Sequence, residues 1–230
     1  MELLERGLHL AEFQRLLDGL PEDQGRLVFL GGEAGVGKTA LVDALCGTVR
    51  PPVRVLRGGC DPLSTPRPLG PLVDIAGGLG DAVPPLLAEH QPRAFAFRAV
   101  LDGLAGRDPA LVIFEDVHWA DEATLDLLRY LGRRIGPTRA LLIATYRDDE
   151  VGSNHPLRVV LGDLATAPAI GRRSLAPLSL ESVRELAAGS DLDPVRLHRQ
   201  TAGNPFFVTE VLAAGEIGIP PTVRDAVMAR

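Results

Sequence analysis

The chain has 230 residues, 46% of them hydrophobic and 23% charged, with a net charge of −6. That balance suits a globular protein and argues against direct nucleic-acid binding or a charged hold on a membrane surface. No apolar stretch reaches the length of a membrane span, Glu2, Glu5, His9 and Glu12 interrupt any signal-peptide core, and two cysteines are too few for a disulfide framework or thiolate metal site, so a cytoplasmic protein is expected.

Apolar residues from Leu3 to Leu20 recur on one helical face and predict a helix over 1–20. Arg26 to Leu30 reads as a buried strand ending in Gly31-Gly32. Gly32-Glu33-Ala34-Gly35-Val36-Gly37-Lys38-Thr39 follows with the G-x-x-x-x-G-K-[ST] spacing of a P-loop, and a helical pattern runs on from Ala40 to Cys46. Strand, glycine-rich loop and helix together point backbone N–H groups and a helix N-terminus at phosphate. Lys38 is the only lysine among 24 basic residues. A narrow phosphate loop accepts a compact ammonium where a planar guanidinium would not fit. Gly32, Glu33, Ala34, Gly35, Val36, Gly37, Lys38, Thr39 and Ala40 are therefore the candidate nucleotide ligands, and the Thr39 hydroxyl is a candidate Mg²⁺ ligand.

Val53 to Leu56 reads as a second strand, and the proline- and glycine-rich stretch Gly58 to Pro71 as a surface loop. Helical patterns span Leu72 to Leu79 and Arg93 to Leu104. Ala110 to Phe114 forms another apolar strand closed by Glu115 and Asp116, where a P-loop protein keeps an acid for Mg²⁺ and sometimes a second to orient water. Successive side chains on a strand face opposite ways, so one of the two acids faces the metal unless the strand has ended. A helix is predicted over Asp121 to Ile135, then a strand over Ala140 to Thr145 with Arg147 just beyond it, placed to touch a γ-phosphate. Asp148, Asp149 and Glu150 read as a solvated acidic loop; Arg133 and Arg134 could reach a neighbouring protomer in a self-associated form, but a solvated face is the simpler reading. A helix over His155 to Leu164 and a last short strand over Arg173 to Leu175 complete the alternation of strands and helices, which indicates a parallel sheet covered on both faces.

Past Pro177 four short helices are predicted, over Ser179–Ala188, Pro194–Thr201, Pro205–Ala214 and Pro220–Ala229. The fold class is thus α/β, a P-loop NTPase three-layer sandwich over residues 1–176 followed by a small all-α domain over 177–230. With Lys38 used in the P-loop, no Asn-Lys-x-Asp guanine reader is possible, and no second Leu-Ser-Gly-Gly segment occurs, so ATP and ADP are the expected ligands.

Taken in order, several motifs resemble the signal-transduction ATPases with numerous domains, the STAND branch of the AAA+-related P-loop proteins. These are Leu4-Glu5-Arg6, the P-loop, Val112 to Asp121, Ala144 to Asp148, Thr201 to Phe207 and Ile219 to Asp225. The nearest resemblance is to the ATPase module of large LuxR-type (MalT-like) transcription regulators, and a similar module accompanies some class III adenylate cyclases. The resemblance implies that the segment around Arg6 lies against adenine, that Arg147 is a sensor arginine, and that Gly203-Asn204-Pro205 packs the helical domain on the base through Pro205. It also implies a winged-helix domain, a helical-repeat sensor and a DNA reader downstream, which this sequence lacks, so the chain is expected to be either a piece truncated before the winged-helix region or a stand-alone version; a slow ATP/ADP switch between the sheet and helical domains is the expected function. Glu115 stands where the family usually has aspartate, which would slow turnover. The rival reading is a turnover enzyme, either a fast ATPase or an ATP-using transferase, but no further His/Asp/Ser cluster supplies its substrate pocket.

Overall fold

The computed structural model describes residues 3–22, 24–88, 92–106 and 108–215. The predicted Pro220–Ala229 helix and the Ile219 to Asp225 motif lie outside the described residues.

Five parallel strands, β1 (Arg26–Gly31), β2 (Arg54–Gly59), β3 (Ala110–Glu115), β4 (Ala140–Thr145) and β5 (Ile170–Ser174), form one sheet in the order β2-β3-β4-β1-β5. Their side chains alternate between two cores, as the two-residue period of a strand requires. Leu27, Phe29, Val112, Phe114, Leu142 and Ala144 pack on one face under α3 (Gly70–Ile75), α5 (Arg93–Leu104), α6 (Glu122–Gly132) and α7 (Pro156–Asp163). Val28, Leu30, Leu111, Ile113, Leu141 and Ile143 pack on the other under α1 (Gly7–Asp18) and α2 (Lys38–Thr48). Both faces of each central strand are therefore dry, which is why these strands are continuously apolar in sequence. This is the three-layer P-loop NTPase fold. Register sets the C-terminal rim, where Gly59 pairs with Glu115, Leu30 with Thr145 and Gly31 with Ser174.

Several elements differ from expectation for identifiable reasons. The opening helix begins at Gly7, because Glu5 takes a left-handed conformation (φ 58°) and Leu3 to Arg6 form a separate irregular segment. β2 continues through Gly58 and Gly59, and what read as a surface loop ends buried at Gly70 and Pro71. Gly58 allows this, since a β-carbon there would stand 2.2 Å from the Pro71 carbonyl oxygen. A further helix, α4 (Val83–Ala88), carries Pro84 and Pro85 in its first turn, where proline costs no helical hydrogen bond. Asp121 caps α6 rather than joining it, accepting from the Ala123 and Thr124 amides at 2.9 and 3.1 Å.

After β5, helices α8 (Leu180–Leu186), α9 (Pro194–Thr201) and α10 (Pro205–Ala214) surround their own apolar cluster of Leu178, Val183, Ala187, Leu197, Val208 and Val211. Leu4 from the opening segment packs against this cluster, so the chain's two extremes of the described structure meet here. Ser179, Asp193 and Asn204 cap the three helices. Among the described residues no helix is long and apolar enough to cross a membrane.

Candidate nucleotide-binding site

The site lies at the C-terminal ends of β1, β3 and β4, where open parallel sheets place ligands. Gly32, Gly35 and Gly37 all have positive φ (146°, 77° and 98°), and Gly37 in the left-handed region starts α2 with no side-chain cap. The loop therefore presents backbone N–H groups and a helix N-terminus to one point. Lys38 is buried and donates to the carbonyls of Gly32 at 2.6 Å and Glu33 at 2.9 Å. An ammonium has three N–H donors, so one remains for a phosphate. Burial lowers its pKa, opposed by the nearby Asp116 carboxylate. Thr39 is exposed beside it.

Glu115 and Asp116 point to different partners. Glu115, the last residue of β3, accepts two hydrogen bonds from the Arg57 guanidinium at 3.1 and 2.8 Å; Arg57 also reaches Asp43 of α2 at 2.6 Å. Those carboxylates raise the Arg57 pKa. Asp116 lies past the strand in a left-handed conformation (φ 54°), its amide bonded to the Thr145 hydroxyl at 3.0 Å. Burial raises the Asp116 pKa, against the pull of Arg147 and Lys38. Asp116 is thus the acid that shares the Lys38 side of the rim, and the change of direction occurs because the strand ends at Glu115.

Arg147 is placed near the same rim by the end of β4. Its guanidinium sits 4.8 Å from the Trp119 ring centroid and pairs with Glu150 at 2.5 Å. Its amide donates to His118 Nδ1 at 3.4 Å, while His118 Nε2 stands 3.4 Å from the other Glu150 oxygen. Burial pushes the His118 pKa down to about 4, so the ring is neutral at physiological pH. Asp148, Asp149 and Glu150 are exposed, as a solvated acidic loop requires, and within it Glu150 pairs with Arg147 while Asp148 accepts from the Ser174 hydroxyl at 3.2 Å. Arg134, weighed as a contact to a neighbour, lies over the Tyr130 ring at 4.2 Å.

The helical part closes the other side. Asn204 donates its side-chain amide to the Ala34 carbonyl at 2.8 Å, and the Phe206 amide donates to the Gly35 carbonyl at 3.2 Å. Arg6 is buried and spans from Val36 O at 3.1 Å to Ala176 O at 2.7 Å. Glu5 beside it accepts from the Ser179 amide at 3.2 Å and the Ser182 hydroxyl at 2.7 Å, at the start of α8. A largely apolar cavity opens between these pieces, lined by Leu3, Leu4, Arg6, Val36, Gly37, Ala40, Leu178, Leu186, Pro205 and Thr209. Its walls are mostly apolar, and Val36, Gly37 and Ala40 join it to the phosphate loop.

The cavity brings together Arg6, Val36, Gly37, Ala40 and Pro205, which lie far apart in sequence. Leu178, Leu186 and Thr209 join them with no local signal, since they read as ordinary helix and linker residues. Arg57 and Asp43 were equally silent, because their tie to Glu115 depends on the β2–β3 register.

A family model described as an AAA ATPase domain matches residues 2–144. A Rhizobium meliloti (strain 1021) protein, described as uncharacterized, is 26% identical over 257 residues, covering 91% of this chain and 24% of that protein. The chain thus spans about a quarter of that relative's length. The ORC1 protein of Aeropyrum pernix, solved in complex with DNA, superposes with a TM-score of 0.62 at 18% identity, covering 94% of this chain and 60% of that one. A STAND protein with a tetratricopeptide repeat sensor from Pyrococcus horikoshii gives 0.58 at 19% identity, covering 93% and 31%. These structural similarities show a shared fold.

Proposed function

We propose a regulatory ATP/ADP switch for this chain, which belongs to the AAA ATPase domain family and is a nucleotide-binding ATPase module. The observation that carries the reading is the direct bonding of Asn204 and Phe206 to the P-loop carbonyls of Ala34 and Gly35. A loop that grips phosphate and also seats the helical part transmits a change at one to the other. Residues 1–176 would hold the nucleotide and residues 177–230 would respond to it.

In this reading Lys38 and the 32–40 backbone hold the phosphates, Arg6 and Pro205 flank the adenine, and Arg147 meets the γ-phosphate. The donor set fits Mg²⁺, with an exposed hydroxyl at Thr39 and a carboxylate at Asp116 on the Lys38 side of the rim; Glu115 would join only on leaving Arg57. When bound, the ion would neutralise phosphate charge. Asp116 or Glu115 would orient the attacking water, and pairing of Glu115 with Arg57 favours slow turnover.

The wider setting we propose is a large LuxR-type regulator, in which a sensor and a DNA reader lie elsewhere. The order of motifs supports it, and the Pyrococcus horikoshii protein, which shares the fold, carries a tetratricopeptide repeat sensor. A module beside an adenylate cyclase would share these features. We expect no direct nucleic-acid contact by this chain, given its net charge of −6.

Gentle purification, denaturation and chromatography of the released nucleotide tests the switch. Bound ADP at one per chain, absent from Lys38→Ala, supports it. An empty protein that turns over ATP about ten times a second or more without a partner would favour the rival turnover enzyme.

A further inference from the structure

Glu150 gathers groups from two separate loops. One carboxylate oxygen takes Arg147 Nη1 at 2.5 Å, and the other faces His118 Nε2 at 3.4 Å. The His118 side chain is 1% exposed, and its Nε2 has no hydrogen-bond partner. The Glu150 pKa is lowered: burial would raise it, but the Arg147 hydrogen bond and charge, with smaller contributions from His118 and Trp119, prevail. Arg147 lies over Trp119, the chain's only tryptophan. Arg147 stands two residues beyond Thr145, whose hydroxyl takes the Asp116 amide at 3.0 Å, and its own amide meets His118 Nδ1 at 3.4 Å, which sets it at the end of β4 beside the Asp116 rim while bound to Glu150.

We propose that Glu150 is the resting partner of Arg147 and that an incoming γ-phosphate must displace it, so that Glu150 sets how strongly the site prefers ATP over ADP. This rests on the reading of Arg147 as the residue that meets the γ-phosphate. A carboxylate and a phosphate compete for the same guanidinium fork, and the phosphate, with more charge and more acceptor oxygens, can win. The pair is partly exposed, with Arg147 at 25% and Glu150 at 32%, so the exchange does not require breaking a fully buried ion pair. A diphosphate leaves the pair in place. Movement of Arg147 off the indole face would change Trp119 emission, which gives the exchange its own optical signal.

The test is equilibrium binding of ATP and ADP with Mg²⁺, alongside Trp119 fluorescence, on the full chain and on Glu150→Gln, Arg147→Ala and the double variant. The proposal expects Glu150→Gln to strengthen ATP binding about three- to tenfold with ADP unchanged within about twofold. It expects ATP, but not ADP, to alter Trp119 emission in the parent, and a much smaller change in Glu150→Gln, whose Arg147 is already free. The double variant should show no gain over Arg147→Ala. If Arg147→Ala removes the ATP preference but Glu150→Gln leaves it unchanged or lowers it, the latch is overturned while the Arg147 reading stands. If Arg147→Ala leaves the preference intact, the Arg147 reading fails and the latch fails with it.

Discussion

Asn204 reaches across 170 positions of sequence to donate its side-chain amide to Ala34 in the phosphate loop. Its other atom, Oδ1, accepts from the Phe206 amide at 3.1 Å and caps α10. Asn204→Asp keeps the capping oxygen and removes the donor, so it separates the two jobs. We expect α10 to stay folded and ATP to bind about tenfold more weakly, as for loss of a buried hydrogen bond worth about 1–3 kcal/mol. Unchanged affinity, measured calorimetrically, would show that the loop does not depend on its seat.

Lys38→Ala removes a buried ammonium fixed by two carbonyls. Loss of a charged hydrogen bond to phosphate, about 1.5–3 kcal/mol, should weaken ATP binding by about ten- to a hundredfold. Fluorescent-nucleotide titration reads this directly, and a variant that binds like the parent would remove the phosphate role.

The two acids should separate kinetically. Asp116 shares the rim with Lys38, whereas Glu115 is held by Arg57. Asp116→Asn should lower single-turnover hydrolysis by about a hundredfold, the scale of a positioned acid or base. Glu115→Gln should cost less. The reverse order would assign the chemistry to Glu115 and require its release from Arg57.

Much of the sheet was legible in advance because its central strands are buried on both faces and so are apolar throughout. The P-loop was legible because phosphate binding constrains spacing locally. Helices α9 and α10 announce themselves by a capping residue followed by proline, at Asp193-Pro194 and Asn204-Pro205. What escaped depends on contacts between distant segments. Gly58 and Gly59 looked like loop residues until the β2–β3 register set them beside Phe114 and Glu115. Glu150 looked like one member of a solvated acidic run, and only the fold brings His118 and Trp119 to it. Leu178 and Thr209 line the cavity because of where the helical part sits, and neither carries a mark of that in its neighbours.

Glu5 ties the opening segment to α8, and its effect should depend on acid. Burial would raise its pKa, but hydrogen bonds from Ser179 and Ser182 and the Arg6 charge bring it below the ordinary value. A lowered carboxyl pKa contributes stability above the unfolded value and loses it as pH falls through the folded one. Thermal unfolding from about pH 6 to about pH 3 should therefore show the parent losing more stability than Glu5→Gln. Parallel curves would mean that the carboxylate contributes nothing.

Cys60 should resist alkylation in the folded protein. Burial pushes its thiol pKa up to about 12, helped by neighbouring Asp121 and Asp116. At about pH 8 the thiolate is roughly one part in ten thousand, so iodoacetamide should label it about a thousandfold more slowly than a free thiol. Mass spectrometry before and after denaturation measures the ratio at this half-buried thiol, and rapid labelling of the native chain would contradict the raised pKa.

The P-loop spacing leaves position 35 open to any residue, yet the fold does not. Gly35 has φ 77°, and a β-carbon there would lie 2.8 Å from the Phe206 β-carbon and 2.9 Å from Asn204 Oδ1. Change at this position is therefore restrained by Asn204 and Phe206 in the helical part, which no phosphate motif records. A side chain at position 35 is thus opposed twice, by its own left-handed backbone and by the segment that seats the helical part on the phosphate loop.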